Sequence, residues 1–272
     1  MTVISTIITR HHTAHASDSL ITVLRPSGLR EVVEDRAPKL VRVPAWRGVI
    51  AYWGLASYGD DWNTLDWLCG EAGRAHEHPS AADFTRSLAA RVTEALRVRH
   101  FPSQRDCGLV IHFTAYEWVG GRWVPELFLI SNWTDTSYTG VRPTGLQVTR
   151  ETYATLNNIA DRSDEHGSPA CRLAVHEALH NTSLMFRFNN GDPGLFNGVA
   201  NAILDSFLII ASRAPIRDPT SASTHLAIAR RPVEVVSRLT ADFLVPGRRL
   251  VGGRPHDLAV SPGGIYESST GD

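Results

Sequence analysis

The chain has 272 residues, 43% of them hydrophobic, and a formal net charge of −1, with no basic run and no acidic tail. That length and apolar content suffice for a full core, and the charge offers no grip to nucleic acid or to an anionic membrane surface, so peptides or small molecules are the expected partners. No stretch approaches the roughly 20 apolar residues of a membrane span.

The opening run Met1 to Thr9 meets its first charge, Arg10, only after its apolar residues, the wrong order for a secretory signal. Three widely spaced cysteines, Cys69, Cys107 and Cys171, make neither a disulfide framework nor a metal pair; they read as reduced core thiols of a cytoplasmic protein. Of the 27 Lys plus Arg residues only Lys39 is a lysine. Arginine stays charged in proteins, whereas lysine is a compact ammonium whose protonation can be tuned beside a nucleophile, so this position is singled out.

In chain order, Thr2 to Thr9 reads as a strand, Arg10-His11-His12 as its turn, and Thr13 to Val23 as a second strand carrying Asp18. A polar, Pro-bounded insertion from Arg25 to Pro38 precedes strands at Lys39 to Val43 and Gly48 to Ala56. Helical periodicity covers Trp62 to Ala75 and Ala81 to Val98, the latter with Phe84, Leu88, Val92 and Leu96 on one face, and these helices should cover one side of a sheet. Gly108 to Trp118 and Trp123 to Ser131 flank Gly120-Gly121, whose glycines supply the positive φ of a tight hairpin. Asn132 to Thr149 has no clear period and reads as loop or edge structure.

Helices are expected at Pro169 to Phe188, at Pro193 to Ser212 with Asp192 as N-cap, and at Ala222 to Leu239 with a possible break at Pro232. A last strand runs from Asp257 to Ser261. This order describes a layered α+β protein, one domain over residues 1–272, with a Gly/Ser-rich tail from Pro262 expected to be mobile.

A nucleophile at the start of a chain carries its own base, because its α-amine can take the hydroxyl proton and titrates near pH ~7.7 to 8.0. Thr2 qualifies once Met1 is removed. A nearby ammonium helps keep that amine neutral, and a carboxylate holds the ammonium charged and oriented. Lys39 and Asp18, on strands next to that of Thr2, suit these two roles.

The segments Met1-Thr2-Val3-Ile4, Ala16-Ser17-Asp18-Ser19, Pro38-Lys39-Leu40-Val41 and Val49 to Ala56, with the closing Val251-Gly252-Gly253 to Val260, together resemble the proteasome β-subunit family of the N-terminal nucleophile hydrolases, in its bacterial proteasome-like branch. The resemblance is clearest over residues 1 to about 60 and the last strand. It implies a four-layer αββα sandwich and a threonine peptidase acting on a peptide or small amide without cofactor or metal. In that reading Thr2 is nucleophile, Asp18 and Lys39 are its electrostatic partners, and the Gly54 backbone N–H is the oxyanion donor. It also implies a homo-oligomeric ring. The family's Gly-Ser-Gly turn and Asp-x-x-Ser pair have no counterpart placed here, and Leu20 stands where many members have Arg. A catalytically inactive assembly or binding subunit with the same fold is therefore the alternative.

A rival motif is His176-Glu177-Ala178-Leu179-His180, which spells the H-E-x-x-H of zinc hydrolases, with two imidazoles about 40° apart around a helix. A catalytic zinc needs a third protein ligand, and only Asp192, Asp205 and His166 are near in sequence, so a structural helix surface is preferred. His11, His12 and His15 read as a solvated turn and its flank rather than a metal site, and Trp46, Trp53, Trp62 and Trp67 as core packing.

Overall fold

A computed structural model describes residues 2–24, 27, 29–58, 61–99, 108–131, 147–151, 185–190, 195–214, 220–244 and 251–269. In chain order the elements begin with β1 (Ile4–Ile8), β2 (Thr13–Ser17), β3 (Ile21–Leu24), β4 (Arg30–Glu34), β5 (Leu40–Val43), β6 (Gly48–Gly54), β7 (Ser57–Tyr58) and β8 (Trp62–Asn63). Helices α1 (Thr64–Gly73) and α2 (Ala81–Val98) lead to β9 (Leu109–Val119), β10 (Arg122–Ser131), β11 (Gln147–Glu151) and β12 (Phe186–Asn190). Helices α3 (Leu195–Arg213) and α4 (Ala222–Phe243) precede β13 (His256–Val260) and β14 (Tyr266–Glu267). Helices and antiparallel sheets make this an α+β protein.

Contacts divide the chain into two compact units, one of Met1–Leu40, Arg187–Ser261 and Ile265–Asp272, the other of Val41–Phe186 and Pro262–Gly264. In the first, the sheet order is β12-β1-β2-β13-β14. Ile4 lies opposite Ser17 across β1 and β2, and His256 opposite Ser17 across β2 and β13. Helix α4 starts on an N-cap at Ser221, whose side chain accepts from the Thr224 amide, and packs on β1, β2 and β13.

Asp257 faces Arg230 of α4, so its register partner Ala16, and with them Ala14, Ser5 and Ala259, belong to the helix-facing side, where small residues let the helix approach. Ile4, Thr6, His15 and Ser17, on the opposite side, are also buried. Burial on both faces explains why β1 lacks the polar alternation of a half-exposed strand. Pro232 lies inside α4 without ending it, its missing N–H (a cost of about 3 kcal/mol in a free helix) being offset by burial of Leu226, Ala229, Val233 and Val236 on the same face.

The second unit holds a sheet of order β11-β10-β9-β6-β5. Helix α2 is capped by Ser80, whose Oγ accepts from the Asp83 amide at 3.0 Å, and buries Phe84, Leu88, Val92 and Leu96, the stripe its periodicity predicts. Each such side chain removed from water contributes roughly 1.5 to 3 kcal/mol. Phe113 sits between Phe84 and Phe128, with ring centroids 5.3 and 5.9 Å away. The β9–β10 hairpin turns at Gly120 and Gly121, both at positive φ, as the glycine pair requires.

The structure departs from the sequence expectations in several places. The strand expected over Thr13 to Val23 stops at Ser17 and resumes as β3, because Asp18, Ser19 and Leu20 turn their backbones to other partners. The Arg25 to Pro38 insertion contains β4, which pairs with β3. Lys39 precedes β5 rather than opening it. The segment from Phe186, expected as the end of a helix, is strand β12, hydrogen-bonded beside β1. Gln147 to Thr149 are no departure: they belong to β11, the edge strand of its sheet, within the loop-or-edge expectation. Cys69, expected in the core, is exposed on α1. The tail expected to be mobile carries β14, and the Ser269 amide donates to Asp257 at 2.7 Å. Trp62 is buried, with Trp46 and Trp67 packed against the core of the second unit.

Candidate active site

Thr2 lies just before β1, Asp18 just after β2 and Lys39 just before β5. Because Ile4 pairs with Ser17 in antiparallel register, the residues before β1 meet those after β2. The Asp18 amide donates to the Val3 carbonyl at 3.2 Å, and the Val3 amide returns a bond to Asp18 Oδ1 at 3.1 Å. Lys39 completes the group. Its Nζ donates to Thr2 Oγ1 at 2.8 Å, to the Leu20 carbonyl at 2.9 Å and to Asp18 Oδ1 at 3.1 Å. All three side chains are buried: Thr2 is 5%, Lys39 2% and Asp18 0% exposed.

An ammonium has three protons and no acceptor, and Lys39 has three acceptors around it. Each proton therefore has a partner, which fixes the orientation of the group and leaves no lone pair to act as a base. Burial pushes the Lys39 ammonium below its usual value, and the Asp18 carboxylate opposes that by charge and by hydrogen bond.

Asp18 is itself heavily supported. Oδ2 accepts from the Leu20 amide at 3.4 Å and from the Gly252 amide at 3.2 Å. These backbone N–H groups supply the donors that a buried carboxylate needs in place of water. The sequence singles out Leu20 for its side chain, but the site uses its backbone on both sides, N–H to Asp18 and C=O to Lys39.

Gly252 is a site residue that reasoning from local pattern missed, since its contact joins positions far apart in the chain. The signal was the Gly252-Gly253 pair. Gly253 has φ +75°, and a Cβ there would run into the Asp35 carbonyl oxygen and Ser19 Oγ. The Ser19 amide donates to the Gly252 carbonyl at 3.0 Å, tying the same turn to the segment that follows β2.

Gly54 belongs to the second unit, at the end of β6, with φ +99°, and a Cβ there would strike the Gly108 carbonyl. The turn histidines are more engaged than a solvated turn implies: His12 Nδ1 lies 3.3 Å from His225 Nδ1. His15 is fully buried beside Thr6 Oγ1 at 3.0 Å, and burial pulls its pKa down to about 3. His176, Glu177 and His180, with His166 and Asp192, lie outside the described residues. Among the described residues no group of three or more His, Cys, Asp or Glu could hold a metal ion, and no helix is long and apolar enough to cross a membrane.

No protein-family model matches the chain, and no curated protein matches it.

Proposed function

We propose that this protein is an amide-bond hydrolase of the N-terminal nucleophile type, with Thr2 as nucleophile after removal of Met1, on a four-layer αββα fold like that of proteasome β-subunits. The observation that carries the reading is the 2.8 Å bond from the chain's single lysine to the hydroxyl of Thr2, inside a buried pair with Asp18. Since every Lys39 proton has an acceptor, the base must be another group, and the freed α-amine of Thr2 is covalently closest to the hydroxyl.

The amine takes the hydroxyl proton as Oγ1 bonds to the substrate carbonyl carbon. The proton then passes to the leaving amine as the C–N bond breaks, giving a Thr2 ester. Water, deprotonated by the same amine, cleaves that ester to the acid and regenerates the hydroxyl. Lys39 stabilises the oxygen as it sheds its proton and disfavours protonation of the amine; Asp18 keeps Lys39 charged and in place. The resemblance to proteasome β-subunits implies the Gly54 N–H as the oxyanion donor, a contribution of about 3 to 4 kcal/mol for such a donor. The substrate is a peptide or small amide, and the assembly a homo-oligomeric ring in the cytoplasm.

The test is intact mass together with covalent labelling by a threonine-directed electrophile. Wild type should lack Met1 and take up one label per chain, Thr2→Ala none, and Lys39→Arg should react at least about tenfold more slowly, since a guanidinium does not reproduce the three-acceptor geometry. Labelling that survives Thr2→Ala, or a purified protein that retains Met1 and cleaves amides, would overturn the reading.

A further inference from the structure

The Asp18 carboxylate has three backbone donors; those of Val3 and Leu20 come from its own hairpin, while that of Gly252 arrives from 234 residues away. The peptide that carries the Gly252 N–H is held from behind. Its other polar group, the Val251 carbonyl, accepts a hydrogen bond from Thr240 Oγ1 at 2.8 Å, in the last turn of α4. Thr240 Oγ1 also has the Ser237 carbonyl within 3.0 Å, but the Val251 contact is the shorter. Thr240, Val251 and Asp18 are 4%, 2% and 0% exposed, so water is poorly placed to substitute for any of these bonds.

We propose that Thr240 and the Val251–Gly252 peptide are positioning residues for the Lys39–Thr2 pair, a hydrogen-bonded strut from the end of α4 to the nucleophile. The contacts are continuous: Thr240 hydroxyl to Val251 carbonyl, across one rigid peptide to the Gly252 N–H, then Asp18 Oδ2, and from Asp18 Oδ1 to Lys39 and Thr2. A peptide plane is stiff, so fixing its carbonyl fixes the direction of its N–H. Without the Thr240 bond the plane is less firmly held, the Gly252 N–H can tilt away from Oδ2, and the carboxylate, still bonded by Val3 and Leu20, is less firmly fixed against Lys39. Gly253 closes the same turn at a position where a side chain has no room.

The groups that bear on Lys39 electrically are Asp18 and His256. His256 is held below the ordinary imidazole value, first by burial and further by Arg254 and Lys39, with the Arg36 backbone bond and Asp257 opposing. Its own titration therefore lies below the ordinary imidazole value.

The proposal rests on the reading of Thr2 as nucleophile, but its test reads Lys39 directly. Since the chain has a single lysine, 13C,15N-lysine labelling gives one side-chain signal, and its pH titration can be followed without assignment. In Thr240→Val the Lys39 midpoint should fall by about half a pH unit or more, because Asp18 is the main counterweight to burial, and electrophile labelling of Thr2 should slow by about 10- to 100-fold. Thr240→Ser, which restores the hydroxyl, should return both to wild-type values. Should Thr240→Val not fold, Thr240→Ala, which removes bulk rather than altering it, provides the same comparison. A midpoint unmoved or raised in a folded variant, or a shift that Thr240→Ser does not reverse, overturns the proposal. If wild type takes no label at all, the hydrolase reading fails while the Lys39 titration still decides whether the strut exists.

Discussion

Lys39→Met tests how much the buried pair holds. The substitution nearly conserves length and volume but removes the charge and all three donated bonds, to Thr2 Oγ1, Asp18 Oδ1 and the Leu20 carbonyl. Asp18 is left as a carboxylate with no exposed surface and only the backbone donors of Val3, Leu20 and Gly252. Removing one partner of a buried ion pair costs about 3 to 5 kcal/mol. The remaining N–H donors reduce that cost, and the Leu20 carbonyl left without its ammonium adds about 1 to 3 kcal/mol. The expected destabilisation is therefore about 3 to 5 kcal/mol, a large part of a typical domain's stability.

Urea unfolding followed by tryptophan fluorescence measures it, with an unchanged m-value showing that the unfolding reaction is the same. Asp18→Asn/Lys39→Met removes the stranded charge as well and should recover about 1 to 2 kcal/mol relative to Lys39→Met alone. A Lys39→Met protein within about 1 kcal/mol of wild type, or a double variant no better than the single, would refute the reasoning. The pH dependence has a defined sign. Burial lowers the Lys39 pKa in the folded state, so between that value and the ordinary 10.5 the unfolded chain binds a proton that the folded chain has released. Wild-type stability relative to Lys39→Met should rise with pH across that window.

His15 offers a second linkage. Its folded pKa of about 3 lies below the ordinary 6.5, so stability is lost as pH falls from 6.5 towards 3, at most by about 4 to 5 kcal/mol. His15→Gln should flatten the acid limb of the stability curve, and parallel limbs in the two proteins would contradict this. Gly253→Ala must place a Cβ against the Asp35 carbonyl at positive φ, so it should cost at least about 2 kcal/mol in thermal or urea unfolding and slow Thr2 labelling. An alanine protein as stable and reactive as wild type would show that this turn tolerates displacement.

Much of the fold is legible residue by residue. The α2 stripe of Phe84, Leu88, Val92 and Leu96 and the Gly120-Gly121 hairpin are set by local periodicity and turn chemistry, and the structure places each as those rules require. The misreadings fall where tertiary contacts override local preference. Phe186 to Phe188 could extend a helix, but pair as a strand beside β1. The helix expected over Ala222 to Leu239 is there, and packing carries α4 past the possible break at Pro232. Asp18 reads as a strand residue and instead stands just outside the ladder, where its carboxylate can collect donors from three directions.

For the candidate site, residue type alone marked Lys39, because one lysine among 27 basic positions asks for a reason, and chain position marked Thr2. Those two inferences need no neighbours. What only the tertiary structure decided is that the two meet at 2.8 Å, and that the Leu20 carbonyl and Gly252 amide complete the set around them and the Asp18 that the sequence already puts forward. The physical reason is that backbone donors and acceptors are the same in every residue. Their identity carries no trace in the sequence, and only the register of β1 against β2, and the path of the chain before β13, determines which of them point at a buried charge.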